Sequence, residues 1–204
     1  MDEWKVEVLK QANLGQFYEL GVRELVLLFI LSDGGSPVAG EEVLHMCLFL
    51  YPYIDASLSP SLLLPRISEI EKPVEALEAE GLVERRLELV EGRYADVLRL
   101  TERGVAEAKR LHRQVQASWV VLRGVTVRRG ADVLGELEAL KRTYNRRSAF
   151  ELFKLLVSKL ESEGENILWH VRGLDDRSRQ SLLSLVKQLS KEIKSVARGS
   201  PAWF

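Results

Sequence analysis

The 204-residue sequence predicts a mainly α-helical protein with one small β-hairpin in its first half. Apolar residues recur at helical spacing along most of the chain. Residues 82–90 and 93–100 instead have the character of strands, and the pair Glu91-Gly92 between them is typical of a tight hairpin turn. With 46% hydrophobic and 29% charged residues, the composition is that of a folded protein rather than a disordered one.

The part of the chain before the hairpin is predicted to be helical. We expect a short helix over residues 4–20, an apolar helix over 22–32 that ends at the turn residues 33–37, and a helix over 40–50 with two glutamates in its first turn. A loop rich in serine and proline follows over residues 51–65.

The helix directly before the hairpin has two alternative starts. Ser68 is placed to cap it, with Glu71 completing a capping box. Pro73 lacks a backbone donor, so the helix either kinks there or begins there. Gly81 is predicted to end the helix in both cases.

The second half of the chain is predicted to be entirely helical. Thr101 caps a helix that continues to about Leu122, and a basic connector over residues 124–130 leads to a helix over 131–144.

Two further helices complete the prediction. Ser148 and Glu151 form a capping-box pattern that opens the first of them, and we expect Gly164 to interrupt it. Asp175 or Asp176 caps the last helix, which runs almost to the end of the sequence.

Charge is distributed unevenly between the halves. Residues 1–100 contain 9 Lys and Arg against 18 Asp and Glu, a net charge of −9, whereas residues 101–204 contain 20 against 12, a net charge of +8. Such asymmetry favours surfaces with different partners, or halves that attract each other or a neighbouring subunit. We expect two domains: residues 1–122, with the hairpin and the N-terminal helix, and residues 123–204, a helical domain or dimerisation arm.

Two stretches beside the hairpin carry a family resemblance. Residues 74–85 read Val-Glu-Ala-Leu-Glu-Ala-Glu-Gly-Leu-Val-Glu-Arg, and residues 98–104 read Leu-Arg-Leu-Thr-Glu-Arg-Gly. Both resemble the winged-helix family of DNA-binding proteins, at the passage from its third helix into the wing and at the entry into the next helix. Residues 25–44, with their Gly-Gly-Ser-Pro turn, are loosely similar to the opening of PadR-type regulators.

The resemblance implies a winged helix followed by dimerising helices, acting as a transcriptional regulator on double-stranded DNA. The hairpin is then the wing, and the helix before it enters the major groove. Contacts to DNA are expected at Arg66, Ser68, Lys72, Arg85, Arg86 and Arg93. A second basic cluster, which is alternatively a solvated helix end, offers Lys141, Arg142, Arg146 and Arg147 to phosphates.

The helix before the hairpin is strongly acidic, which argues against DNA binding. Lys72 stands among five glutamates, namely Glu69, Glu71, Glu75, Glu78 and Glu80. Because Lys and Arg supply most of the affinity for DNA, such a helix is a poor binder. The second hypothesis is therefore a protein–protein interaction module in a larger assembly, docking through this acidic face.

The last helix has an apolar stripe with a spacing of four, three, four and three residues. The stripe consists of Leu182, Val186, Leu189, Ile193 and Val196. This heptad-like spacing predicts either a homodimer interface or packing inside the same domain.

The sequence argues against an enzyme, a metal site and a cofactor. The three histidines are far apart, His45 and Cys47 fall on different faces of a helix, and no phosphate-binding loop or nucleophile motif is found. With one cysteine and no secretory or membrane-spanning pattern, we expect a cytoplasmic protein that does not associate with membranes. The scarcity of Asn and Gln is typical of thermophiles.

Overall fold

The structure is a computed structural model that describes residues 17–59, 63–90 and 92–199, together with Trp4, Glu7 and Gln11. It is mainly helical, as the sequence predicts, but the described residues form three small β-sheets where the sequence predicts a single hairpin. The helices of the described residues are α1 (Val22–Gly35), α2 (Glu41–Phe49), α3 (Ser68–Ala79), α4 (Glu102–Gln116), α5 (Gly130–Tyr144), α6 (Ala149–Leu168) and α7 (Asp176–Gly199). The strands are β1 (Phe17–Leu20), β2 (Val38–Ala39), β3 (Leu58–Ser59), β4 (Arg66–Ile67), β5 (Val83–Val90), β6 (Arg93–Leu100), β7 (Trp119–Leu122) and β8 (Thr126–Arg129).

Helix α1 lies at the centre of the hydrophobic core. Its residues 25–30 are all buried, because α3, α4 and α5 pack around it. A helix that is apolar on every side needs such complete cover. The core continues from α1 into α7. The domain boundary predicted at 122/123 falls at the end of β7, beside the turn into β8, and the division into two domains stays a prediction.

The predicted hairpin is confirmed. Strands β5 and β6 pair antiparallel from Val83 opposite Leu100 to Val90 opposite Arg93, and Gly92 has a φ of 80°. A two-residue turn requires positive φ, which glycine adopts without strain. Strand β2 pairs with β6 on its other side, so the sheet has the order β2-β6-β5.

Three predicted helix caps are also confirmed. The Thr101 hydroxyl accepts a hydrogen bond of 3.0 Å from the amide three residues ahead of it. Ser148 and Glu151 form the reciprocal capping box at the start of α6. Asp175, rather than Asp176, accepts a hydrogen bond from an amide in the first turn of α7. These caps depend on neighbouring residues alone, which is why local sequence patterns predict them.

The predicted helix over residues 4–20 is wrong in its last four residues. Phe17–Leu20 form β1, which pairs in parallel with β7. A segment of four residues is too short to be recognised as a strand from its sequence alone. Its pairing partner, β7, lies far along the chain. Apart from Trp4, Glu7 and Gln11, which are helical, the rest of this prediction lies outside the described residues.

The predictions for residues 101–130 need correction too. Helix α4 ends at Gln116 rather than near Leu122, and the supposed connector over residues 124–130 contains β8. Strands β7 and β8 form a hairpin with a three-residue turn, Arg123-Gly124-Val125, in which Arg123 and Gly124 have positive φ. The β-branched residues of β7 and the glycine of this turn are the local signals for the hairpin.

Gly164 does not interrupt α6, which runs unbroken from Ala149 to Leu168. A Cβ atom on Gly164 would lie 2.4 Å from Cδ2 of Leu183 in α7. The glycine therefore allows the close approach of two packed helices instead of ending one of them.

Candidate nucleic-acid interface

Helix α3 begins at Ser68, but without the predicted capping box. The Ser68 hydroxyl donates to the carbonyl of Ser57, and the Glu71 carboxylate instead accepts a hydrogen bond of 2.6 Å from Arg66 Nε. The helix runs through Pro73, so the alternative start at Pro73 is wrong as well. Both side chains of the expected capping box are therefore hydrogen-bonded to residues outside the helix.

The buried side of α3 fixes which residues face solvent. Ile70, Val74 and Leu77 are buried, at a spacing of four and three residues, and hold the helix against α1. The opposite, exposed side carries Ser68, Lys72, Glu75, Ala76 and Ala79. Of the five glutamates between residues 69 and 80, this outward stripe includes one.

The other four glutamates are bound within the chain. Glu69 accepts a hydrogen bond of 2.9 Å from the amide of Ser57, Glu71 pairs with Arg66 at 2.6 Å, Glu78 pairs with Arg85 at 3.0 Å, and Glu80 pairs with Arg23 at 2.5 Å. The hydrogen bonds to Glu71 and to Glu78 raise the pKa values of Arg66 and Arg85 respectively. Much of the negative charge counted in the sequence is therefore compensated by neighbouring arginines.

Arg85 connects α3, α2 and the β5–β6 hairpin, which is the predicted wing and is called the wing below. Besides Glu78, it contacts Glu41 at 3.2 Å. The side chains of His45 and Arg85 lower the pKa of Glu41 to about 2. Arg85 is therefore a structural cross-link between the wing and the helices as well as a predicted DNA contact.

The remaining wing arginines are similarly engaged. Arg86 pairs with Glu84 at 2.8 Å, and Arg99 pairs with Glu88 at 2.6 Å. The side chain of Arg93 lies outside the described residues.

One face of the wing is apolar and exposed, a feature that sequence reasoning missed. Leu87, Leu89 and Tyr94 are between 65% and 74% exposed. Leu89 lies directly opposite Tyr94, so the two side chains share a face. The sequence signal for this face was the alternation Leu87-Glu88-Leu89, which places both leucines on one side of the strand. The face is exposed because the outer part of a two-stranded wing has no second layer to cover it.

The second basic cluster lies at the end of α5. Arg142 pairs with Glu138 and, at 3.7 Å, with Asp33. Arg147 pairs with Glu151, and Arg146 has a φ of 68°. With Asn145, the residues Arg142, Arg146, Arg147 and Glu151 line a shallow cavity of about 210 Å³. These ion pairs share no residue with those of Arg66 and Arg85.

Lys141 is not part of this surface cluster, because it is fully buried. Its ammonium donates to the carbonyls of Ile30, Ser32 and Ser36 at 2.7, 3.0 and 2.5 Å. Burial lowers the pKa of Lys141 to about 8, so the charged form still predominates at neutral pH. This lysine caps the end of α1, where the last carbonyls of a helix lack partners.

The apolar stripe of α7 faces α6 in the same chain. Val186 is buried, and Leu182, Leu189 and Ile193 pack against the core. Val196 is exposed. Most of the stripe thus needs no second subunit to cover it, and its role as a dimer interface stays a prediction.

No family model, curated protein or solved structure matches the chain. None of the described helices is long and apolar enough to cross a membrane. The described residues contain no group of three or more His, Cys, Asp and Glu side chains placed to hold a metal ion.

Proposed function

We propose that this chain is a winged-helix DNA-binding transcriptional regulator that acts as a dimer. The order of its elements supports the proposal: α1, α2 and α3 precede the β5–β6 hairpin, and β2 adds a third strand to that hairpin. Residues 74–85 and 98–104, which resemble the winged-helix family, lie at the two junctions of this hairpin with α3 and α4. In helix-turn-helix proteins the second helix of the pair enters the major groove, a place that α3 would take here.

The observation that carries the proposal is the internal pairing of the glutamates of α3. Its acidic composition was the main argument against DNA binding. The outward stripe, however, keeps only Lys72 and Glu75 as charged residues, beside a serine and two alanines. This outward stripe is narrow, nearly neutral and made mostly of small side chains. It would repel the DNA backbone less than five unpaired carboxylates would.

The available positive charge is limited. Lys72 and Arg146 form no ion pair with another described residue, whereas Arg66, Arg85 and Arg86 would have to exchange a carboxylate for a phosphate. We therefore expect weak binding to random-sequence DNA, in the micromolar range and steeply dependent on salt.

Fluorescence anisotropy with a labelled random-sequence duplex, at two salt concentrations, tests the proposal. We expect the affinity to fall with salt at a slope near −0.9 per neutralised phosphate. Lys72→Glu should weaken binding roughly fivefold or more, because it replaces a phosphate contact with repulsion. Lys187→Glu, an exposed lysine of α7, is the matched control and should have little effect. Absence of salt-sensitive binding by the wild type at low salt would remove the physical basis of the proposal.

The exposed apolar face of the wing favours a second function, that of a protein–protein interaction module. The partner would then contact Leu87, Leu89 and Tyr94 rather than an acidic α3, whose glutamates are mostly paired. Replacing Leu87 and Tyr94 by serine discriminates the two functions. A regulator would keep its affinity for DNA, whereas an interaction module would lose its partner.

A dimer would depend on the apolar residues that α7 leaves exposed. Because most of the α7 stripe packs inward, these residues are Val196 of the stripe and the half-exposed Leu185 beside it. Light scattering over a concentration series measures the oligomeric state, and a wild type that remains monomeric at high concentration would exclude the dimer.

A further inference from the structure

A groove on the side of the molecule lies between the end of α1 and the helices α4 and α5. It encloses about 730 Å³, within the range of about 300–1,000 Å³ typical of small-molecule sites. Leu28, Leu31 and Leu134 form its apolar floor. None of the residues predicted to bind DNA lines this groove.

One wall of the groove is cationic. Lys109, His112 and Arg113 follow each other at a spacing of three and one residues on α4, so they lie on one helix face. None of the three forms an ion pair with another described residue, in contrast to the arginines around α3. Two permanent positive charges beside an apolar floor match a ligand with an anionic head and an apolar body.

The acidic residues of the groove do not cancel this charge. Asp33 and Glu138 both line it and share Arg142 as an ion-pair partner, and the buried ammonium of Lys141 also attracts Asp33. Two cations therefore offset the two carboxylates. The carboxylates are thus already partnered, whereas Lys109 and Arg113 are available to a ligand.

The groove is open above Gly135 of α5. Apart from its chain neighbours and the nearby backbone of α5, no atom of the described residues lies within 4 Å of the position that a Cβ atom on this glycine would take. A glycine in the interior of a helix costs stability relative to alanine, by about 1 kcal/mol, and here no packing against a neighbour requires it. The absent side chain leaves space for the body of a ligand.

We infer that this groove binds a small amphipathic organic anion, with its carboxylate, sulfonate or phosphate at Lys109 and Arg113 and its apolar part on the three leucines. The inference does not depend on DNA binding, because none of the residues that line the groove is a predicted DNA contact. In a regulator, such a groove would be an effector site.

The probe 1-anilinonaphthalene-8-sulfonate, an aromatic body with one sulfonate, tests the inference directly. We expect one saturable site per chain, with blue-shifted fluorescence and a matching stoichiometry by isothermal titration calorimetry. The uncharged analogue N-phenyl-1-naphthylamine should bind roughly tenfold more weakly, since it lacks the charge-assisted hydrogen bonds.

Two independent variants define the site. Lys109→Glu with Arg113→Glu should weaken sulfonate binding roughly tenfold or more and leave binding of the uncharged analogue unchanged. Gly135→Leu should fill the groove and abolish binding of both probes, without lowering the thermal unfolding temperature. Arg110→Glu is the control, because this exposed arginine of the same helix pairs with Glu107 away from the groove.

The inference would be overturned by non-saturable binding or by equal affinity for the two probes. It would also be overturned if the sulfonate affinity were unchanged in both the double variant and Gly135→Leu.

Discussion

Helices α3 and α4 present their charges in opposite ways. Around α3, glutamates and arginines pair with one another, and the outward stripe is left nearly neutral. On α4, Lys109, His112 and Arg113 lie beside an apolar floor without an ion pair to a described residue. The difference shows that a count of charges along a helix does not measure the charge that its surface offers. Contacts with other elements, both neighbouring and distant in sequence, decide which charges remain available to a ligand.

The sharpest contrast of this kind lies between two adjacent residues. Lys141 is fully buried and bound to three carbonyls, whereas the Arg142 side chain is 67% exposed. We expect Lys141→Met to lower the free energy of unfolding by about 3 kcal/mol, because it leaves buried carbonyls at the end of α1 without donors.

Urea denaturation monitored by circular dichroism measures this effect. Arg142→Met is the control and should cost less than about 1 kcal/mol, since exposed ion pairs contribute little. Equal losses in the two variants would mean that the carbonyl contacts of Lys141 do not hold the end of α1.

Sequence patterns predicted the structural features that depend on contacts between residues close together in the sequence. The wing turn at Gly92 and the caps at Thr101, Ser148 and Asp175 all depend on residues within a few positions of one another. The burial of Lys141 also had a signal, since it lies four residues after Leu137 on the buried face of α5.

Features that depend on distant pairing were not predictable in this way. Strand β1 exists because β7 provides its hydrogen-bond partner, and neither segment identifies the other in the sequence. The pairing of Glu80 with Arg23, and of Arg85 with Glu41, likewise required the packed helices. For this reason the sequence did not show that the glutamates of α3 are paired, nor that three residues of α4 form a cationic wall.

The contacts of Glu41 with Arg85 and His45, which join the wing to α2, should make the stability of the protein depend on pH in the acidic range. The pKa of Glu41 is about 2 in the folded protein and near 4.5 without its partners. A carboxyl whose pKa is lowered by folding stabilises the protein above the unfolded pKa and loses this contribution as the pH falls. We therefore expect about 2 kcal/mol of stability from Glu41, present above pH ~4.5 and lost toward pH ~2.

Chemical denaturation across this pH range compares the wild type with Glu41→Gln. The variant should be less stable at neutral pH and lose less stability on acidification. Glu42→Gln, in the same turn of α2, should behave as the wild type does. A Glu41→Gln profile parallel to that of the wild type would show that Arg85 and His45 do not stabilise this carboxylate.

Whether internal pairing sets the charge around α3 can be measured through the salt dependence of DNA binding by Glu71→Gln, compared with the wild type. Removing the Glu71 carboxylate releases Arg66 from its ion pair without adding a positive residue. If internal pairing sets the charge that α3 presents, the variant should bind random-sequence duplex more tightly, and its log–log salt slope should steepen by about 0.9, the value for one more phosphate contact. An affinity and a slope equal to those of the wild type would contradict the account.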